Sequence, residues 1–213
     1  MGKRQTNVTL RRQSVIDCAE MLIEASGTTD FPMDDLARLA GVSLQTIYNR
    51  FGSKSSVLYE LLNGTVDTID ATRRDHESSD PIDQVLDAVS DVVATYLVRP
   101  HFYAALLRHL FGIDDKVNRP IFMTKSMTFW RDAVSGIFGT YPDCRVLPWE
   151  LAEDLLLMTT GALENWIQHD FSDAQFAAAM RRGATLRLLA LDLPGEKGRL
   201  EQVLAETRLA FVQ

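Results

Sequence analysis

Residues 33–51 of the chain read MDDLARLAGVSLQTIYNRF, and this stretch predicts two short helices joined by a tight turn. The first helix has an inner face of apolar or small residues at helical spacing: Leu36, Ala37 and Ala40. Gly41 ends that helix, because the turn needs a backbone conformation that is costly for other residues. Ser43 can cap a second helix over residues 44–50, and Ile47 of that helix faces inward.

The outer side of the second helix carries residues that suit a nucleic-acid groove. A helix of this size fits the major groove of DNA, where its first residues face the base edges. Gln45 and Asn49 have amides that can read adenine bidentately, whereas Leu44 can make only apolar contacts, for instance with a thymine methyl group. Lys54 is a positive charge at the start of the next helix, where backbone N–H groups already favour an anion. Taken singly, Tyr48 also fits a packing aromatic and Lys54 a solvated surface charge.

The ordered run around these residues resembles the TetR (tetracycline-repressor) family. The matching positions are Leu36, Ala37, Ala40, Gly41, Val42, Ser43, Thr46, Ile47, Tyr48, Phe51, Ser53, Lys54 and Leu58. The resemblance covers about residues 8–62, including an opening helix that contains residues 11–19. It implies a helix-turn-helix DNA-binding domain over residues 1–53 and a helical effector-binding and dimerisation domain over residues 54–213.

The resemblance also implies individual roles. Tyr48 and Lys54 match positions that hold phosphates, Thr46 a position that contacts phosphate or base, and Gln45 and Leu44 variable positions that read the groove. The predicted DNA-binding set is therefore Ser43, Leu44, Gln45, Thr46, Tyr48, Asn49 and Lys54. The chain departs from the family over residues 28–32, where a glycine and a Ser or Thr cap are usual, so the phosphate contact at the start of the second motif helix is in doubt.

Helical signals continue along the rest of the chain, and no ladder of strands is indicated, so the expected fold class is all-α. The first helix is expected at about 9–26, and Pro32 is expected in the first turn of the next, whose apolar face also includes Leu39. The later helices are expected at about 54–74, 81–99, 101–111, 120–139, 148–170, 173–192 and 197–210. Asp80-Pro81 and the Ser172-x-x-Gln175 capping box mark two of their starts.

The helix expected at 148–170 is apolar on more than one side, which indicates burial against more than one neighbour. The resemblance places it, with the small-residue helix at 173–192, in a symmetric four-helix interface of a homodimer. Both helices fit the core of a single chain as an alternative. Several polar or aromatic residues could line an apolar effector pocket, although aromatic residues at helical spacing also fit a core: Tyr103, His109, Trp130, Asn165 and Trp166.

Charge and composition agree with a regulator that acts on DNA. The net charge is −7, but residues 1–56 hold seven Lys or Arg and six Asp or Glu, and phosphate binding needs only local positive charge. Four positive charges fall within the first twelve residues, which fit either a DNA-binding arm or a solvated terminus: Lys3, Arg4, Arg11 and Arg12. Cys18, expected as a small buried apolar residue, and Cys144 have no partner at metal-ligand spacing, and neither a metal nor a cofactor is expected.

The expected function is that of a repressor, bound to a palindromic operator and released by an unidentified small molecule. Activation instead of repression is a variant that the residues leave open. A di-iron helical enzyme would need Glu-x-x-His pairs, which the chain lacks, and a helical protein-interaction module is the other alternative. The opening residues lack a signal peptide's apolar stretch and no run approaches the ~18 apolar residues of a membrane helix, so a cytoplasmic location is expected.

Overall fold

The computed structural model describes the backbone of residues 3–75 and 78–208, and the side chains in these ranges from residue 12 onward. Within the described residues the chain is helical and contains no strand, which confirms the expected all-α class. The helices are α1 (Lys3–Ser26), α2 (Met33–Leu39), α3 (Leu44–Phe51), α4 (Lys54–Asp75), α5 (Pro81–Val98), α6 (Pro100–Gly112), α7 (Asn118–Thr140), α8 (Pro148–Ile167), α9 (Asp173–Ala190) and α10 (Lys197–Glu206).

The start signals read from the sequence form as hydrogen-bonded caps. At α5, the carboxylate of Asp80 accepts from the backbone N–H groups of Ile82 and Asp83, at 2.9 and 3.0 Å. At α9, Ser172 and Gln175 bond each other's backbone N–H groups with their side chains, which is the reciprocal arrangement of a capping box. Both predicted starts are confirmed, because each cap satisfies N–H groups that the first helical turn leaves unpaired.

Three local expectations in the N-terminal region are wrong. Helix α1 begins at Lys3 instead of near residue 9, since polar residues without apolar periodicity extend it. Pro32 is the residue before α2, not part of its first turn, because its ψ of 141° is extended. Leu39 is 45% exposed instead of lying on the inner face of α2. Helix α2 is only two turns long, and in its last turn Leu36 and Ala37 are buried whereas Arg38 and Leu39 are exposed.

The chain divides into two compact units, of which the first comprises residues 1–65 and 99–122. In this unit α1 packs against α2 and α6, and the guanidinium of Arg99 bonds both Glu20 and Glu24 of α1. Its core contains fully buried apolar side chains from five helices: Ala19, Ile23, Leu36, Ile47, Leu58, Leu62, Leu106 and Leu107. Cys18 is buried there, as expected, and burial raises the pKa of its thiol.

The second unit comprises residues 66–98 and 123–213, and α9 is its centre. Helix α9 packs against α5, α8 and α10, which explains why Phe176, Met180 and Leu188 are fully buried. Arg199 of α10 bonds Asp80 and Asp83 at the start of α5, so the last described helix is fastened by an ion-pair network. In the part of the chain that the structure describes, no helix combines the length and apolarity needed to cross a membrane.

Candidate DNA-binding surface

The geometry of α2 and α3 is fixed by a glycine turn and a shared apolar core. Gly41 has a φ of 63°, in the left-handed region that an L side chain rarely adopts, and the N–H group of Val42 donates to the carbonyl of Ala37 at 3.0 Å. The side chain of Ile47 is fully buried, whereas Val42 is only half-buried. Because Ile47 anchors the inner side of α3, the opposite edge of that helix faces outward.

The exposed edge of α3 consists of the residues that the sequence predicts at a DNA groove. Ser43, Gln45 and Asn49 are exposed, and Leu44 and Thr46 are half-buried. Tyr48 is 43% exposed, so it is not the packing aromatic that the sequence left open. The structure therefore brings all six residues from the 43–49 stretch onto one accessible surface, with Ile47 pointing the other way.

Two hydroxyl groups hold the first turn of α3. The side-chain oxygen of Ser43 accepts from the backbone N–H group of Thr46 at 3.1 Å, and the two hydroxyl oxygens lie 2.7 Å apart. Ser43 is thus the N-cap that its residue type indicates. The Ser43 hydroxyl oxygen already accepts a hydrogen bond from the helix. A contact between Ser43 and DNA would either add to this bond or replace it.

Lys54 is more enclosed than a solvated surface charge. Its Nζ donates to the backbone carbonyl of Phe31 at 2.7 Å and lies 4.4 Å from the centroid of the Phe31 ring. Burial lowers the pKa of the ammonium, and the nearby carboxylate of Asp30 opposes that change. An ammonium has three N–H donors, so the bond to Phe31 orients Lys54 while leaving it able to bind a phosphate.

The start of α2 offers little to a phosphate. Asp34 is exposed, and Asp35 pairs with Arg38 at 2.8 Å on the same short helix. No side chain caps the helix, and its first turn contains two carboxylates. The sequence over residues 28–32 already put a phosphate contact at the start of α2 in doubt. The two carboxylates in its first turn repel a phosphate, although the start of a helix otherwise favours one.

Arg12 serves the fold of the first unit. Its guanidinium lies 4.7 Å from the centroid of the Phe51 ring and also bonds the carboxylate of Glu60. Arg12 thereby joins α1 to the end of α3 and to α4. The local sequence around Arg12 does not predict these distant partners. The side chains of Lys3, Arg4 and Arg11 lie outside the described residues, so the proposed arm remains a prediction.

A polar cluster behind Lys54 was not found in the sequence. The Ser55 hydroxyl donates to Asp115 and lies 3.1 Å from Nε2 of His109. Burial would raise the pKa of Asp115, but bonds from Ser55 and from the backbone and side chain of Asn118 outweigh it and lower that pKa strongly. Burial lowers the pKa of His109. The cluster thus ties the first turn of α4 to α6 and the segment that follows α6.

The five residues suggested for an effector pocket lie in different packing units. Tyr103 and His109 belong to the first unit, where Tyr103 is buried and His109 half-buried. Trp130 of the second unit is buried, and Trp166 stacks on Phe176 while its ring nitrogen donates to Asp173 at 2.8 Å. Asn165 is exposed and donates to the carbonyl of Gly161 in its own helix, at 3.0 Å. Their role as pocket residues remains a prediction.

Comparisons with known proteins agree with this geometry. Residues 15–61 match the family model described as bacterial regulatory proteins, tetR family. No curated protein sequence matches the chain. The described fold is similar to that of a TetR transcriptional regulator from Rhodococcus sp. RHA1, with a TM-score of 0.71 at 16% identity, over 86% of this chain and 98% of that one.

Two further solved structures show the same likeness. A TetR-family regulator from Syntrophomonas wolfei has a TM-score of 0.67 at 15% identity, over 84% of this chain and 96% of its own. The fatty acid degradation regulator FadR from Bacillus halodurans has a TM-score of 0.62 at 18% identity, over 83% and 97%. At such identities the likeness establishes the fold, and the family model adds the helix-turn-helix. Residues 15–61 are therefore similar to the tetR family of bacterial regulatory proteins, and the described chain has the fold of solved TetR-family regulators.

Proposed function

We propose that the protein is a homodimeric repressor that binds a palindromic operator in the cytoplasm and is released from it by a small molecule. The observation that carries the proposal is the accessible edge of α3, where Gln45, Tyr48 and Asn49 are exposed while Ile47 anchors the helix from behind. Side chains of this kind on the first turns of a short helix read base edges in the major groove. Ser43, Leu44 and Thr46 complete the reading surface, and Lys54 flanks it.

Phosphate contacts would come from both sides of that edge. The Tyr48 hydroxyl can donate to a phosphate oxygen, and Lys54 brings a full positive charge that Phe31 holds in place. Arg12 is bonded to Glu60 and lies over Phe51, so this side chain serves the fold instead. A small number of phosphate contacts per subunit suits a chain with a net charge of −7, because the electrostatic attraction is then local.

A dimer would use the outer face of α8 and α9. Leu157 of α8 is 61% exposed and Leu186 of α9 is 48% exposed, in contrast to the buried leucines elsewhere in these helices. Leu157 directly precedes Met158, which packs against Gly183 of α9. Leu186 directly precedes Arg187, which forms an ion pair with Asp154 of α8. In an antiparallel pair, these offsets put both leucines on the same side. A second copy covering that side would form the four-helix interface expected from the sequence.

The two-fold symmetry of such a dimer determines the operator. Two copies of α3 would enter major grooves one helical turn apart, about 34–36 Å, so the half-sites must be inverted repeats. A small molecule would release the DNA by binding more tightly to a conformer in which this spacing is lost, with a coupling of about 1–3 kcal/mol. The residues put forward for its pocket are Tyr103, His109, Trp130, Asn165 and Trp166.

Selection of bound duplexes from a random DNA pool tests the proposal most directly. We expect the purified protein to recover a palindrome whose half-sites lie one turn apart, and a gel shift to show binding to the region upstream of its own gene. A single asymmetric site would contradict the dimer, and the absence of binding to any duplex at low ionic strength would contradict DNA binding. A Gln45→Ala variant is the control, because it should relax base preference without abolishing binding to random DNA.

Repression and release require a second measurement. A reporter fused to the recovered operator should be silenced when the protein is expressed, and a reporter that is activated instead would overturn the repressor role. Small apolar molecules can then be screened for loss of the gel shift. A released complex should be restored by a competing excess of operator, since effector and operator binding oppose each other reciprocally.

A further inference from the structure

Gln45 and Asn49 are joined to each other on the exposed edge of α3. The Nε2 group of Gln45 donates to Oδ1 of Asn49 at 2.7 Å, across one turn of the helix. Both side chains are otherwise accessible. The bond holds two flexible side chains together on the surface that the proposed function assigns to base reading.

The bond changes what each amide presents to DNA. A primary amide has two N–H donors and one carbonyl oxygen. One N–H group of Gln45 donates to Asn49, and the other N–H group and the carbonyl oxygen remain available. This donor and acceptor match N7 and the N6 amino group of adenine. The oxygen of Asn49 is directed at Gln45, so the donors on its Nδ2 face the groove instead. Donors of that kind fit guanine, whose N7 and O6 are both acceptors.

We propose that Asn49 is an orienting residue for Gln45, and that the pair reads two adjacent bases as a unit, adenine through Gln45 and guanine through Asn49. The inference rests on the proposed function and deepens it. Pre-orientation matters because a glutamine side chain has several rotatable bonds, and holding it before DNA arrives reduces the ordering that binding requires. Asn49 thus affects a base that it does not touch.

Two substitutions at position 49 separate orientation from reading. Asn49→Asp keeps an oxygen that accepts from Gln45 but has no donor, so the preference for adenine should persist while the preference for guanine is lost. Asn49→Ala removes both the oxygen that accepts from Gln45 and the donors that face the groove. The adenine preference should therefore fall as well, although Gln45 is intact. Each preference is measured as the ratio of affinities for duplexes that differ at one base pair, which cancels any general weakening by the added charge. A bidentate contact predicts a ratio of about tenfold.

Gln45→Ala is the matched control, because it should abolish the adenine preference and keep that for guanine. An unchanged adenine ratio in Asn49→Ala would overturn the orienting role. Equal losses of affinity for specific and random duplexes in that variant would also overturn it, since they indicate a structural role of the helical pair. Thermal unfolding of each free variant shows whether α3 stays folded. A wild-type protein that binds no duplex would refute the proposed function itself, whereas selective wild-type binding with unaltered variants would refute this inference alone.

Discussion

Lys54 shows how one side chain can serve both the fold and a ligand. Its bond to the carbonyl of Phe31 uses one of three donors and leaves two that can bind a phosphate. Lys54→Ala should therefore weaken binding to all duplexes and reduce the slope of log K against log salt by about 1. Gel shifts over a range of salt concentrations measure that slope.

Lys54→Arg is the control for this prediction. The guanidinium keeps the charge, so the salt slope should stay near that of the wild-type protein even if the geometry at Phe31 is altered. An unchanged slope in Lys54→Ala would remove this residue from the phosphate contacts. The unfolding midpoint of the free protein, measured in parallel, reports how much of any loss comes from the bond to Phe31.

His109 should make folding stability depend on pH. Burial lowers the pKa of its imidazole, although the neighbouring Asp115 acts in the opposite direction and Lys54 in the same one. The unfolded chain therefore takes up a proton first, near pH 6.5, and stability falls as pH decreases through that value toward the lower folded pKa. Urea unfolding midpoints at pH 7.5 and 5.5 should differ less in His109→Gln than in the wild-type protein. An equal difference in His109→Gln and in the wild-type protein would contradict this origin of the pH dependence.

The sequence supplies the residue types of the binding edge but not their partners. Ser43, Gln45 and Tyr48 were identified from a helical period and a capping residue, both of which are local signals. The partners of Lys54 and Ser55 lie 23 and 54 residues away, because they depend on where one helix crosses another. No periodicity in a single sequence reports such a crossing.

At the scale of elements, the cap of α3 is a separable contribution to stability. Ser43→Ala removes the acceptor for the N–H group of Thr46 and should cost about 1 kcal/mol in the free energy of unfolding. Ser43→Asn should preserve most of it, because asparagine is an equally good cap. Urea unfolding of the free protein measures both. A stable Ser43→Ala variant would show that tertiary packing through Ile47 alone holds the helix.

The turn between α8 and α9 contains a residue under backbone strain. His169 has a φ of 66°, and its N–H group donates to the carbonyl of Trp166 at 3.1 Å to close the helix end. His169→Gly should raise the free energy of unfolding by up to about 1 kcal/mol, because glycine adopts this conformation without steric cost. His169→Ala keeps the Cβ atom and should give no such gain. Equal stabilities of the two variants would contradict the explanation.

The starts of α5 and α9 were predictable because one combines a cap with a proline and the other has a box of reciprocal bonds. Asp80-Pro81 and Ser172 belong to this kind, and α5 and α9 begin there. The failures have physical causes too. Leu39 follows the apolar period of α2, but a helix of two turns is covered only where a neighbour reaches it. Periodicity predicts which face of a helix turns inward, but it cannot show which residues of that face a neighbouring helix buries.

At the scale of the whole molecule, packing does not follow chain order. Helix α6 belongs with the N-terminal helices, and Arg99, 75 residues beyond Glu24, is the ion-pair partner that joins them. The sequence boundary at residue 53 describes functions and remains a prediction, whereas the two packing units describe contacts. The likeness to known folds extends over most of the chain, although sequence reasoning found specific matches only within about residues 8–62.

The dimer proposal yields a prediction at this scale. Leu157→Glu combined with Leu186→Glu should convert the protein to a monomer, because two carboxylates would be buried in the apolar centre of the interface. Sedimentation should show half the mass, and affinity for the palindrome should fall toward that for a single half-site. Ile121→Glu, at an exposed apolar position outside α8 and α9, is the control. A double variant that remains dimeric would place the interface elsewhere.

The two cysteines differ in solvent exposure, and this difference allows the protein to be labelled at one site for DNA-binding measurements. The thiol of Cys18 is enclosed in the first unit and has a raised pKa, whereas Cys144 is half-exposed in the segment between α7 and α8. Maleimide reagents attack accessible thiolates, so they should label the native chain at Cys144 alone. The protein thus has a built-in attachment point for a fluorophore, in a different packing unit from α3, and its tumbling on operator DNA can be followed without engineering a new side chain.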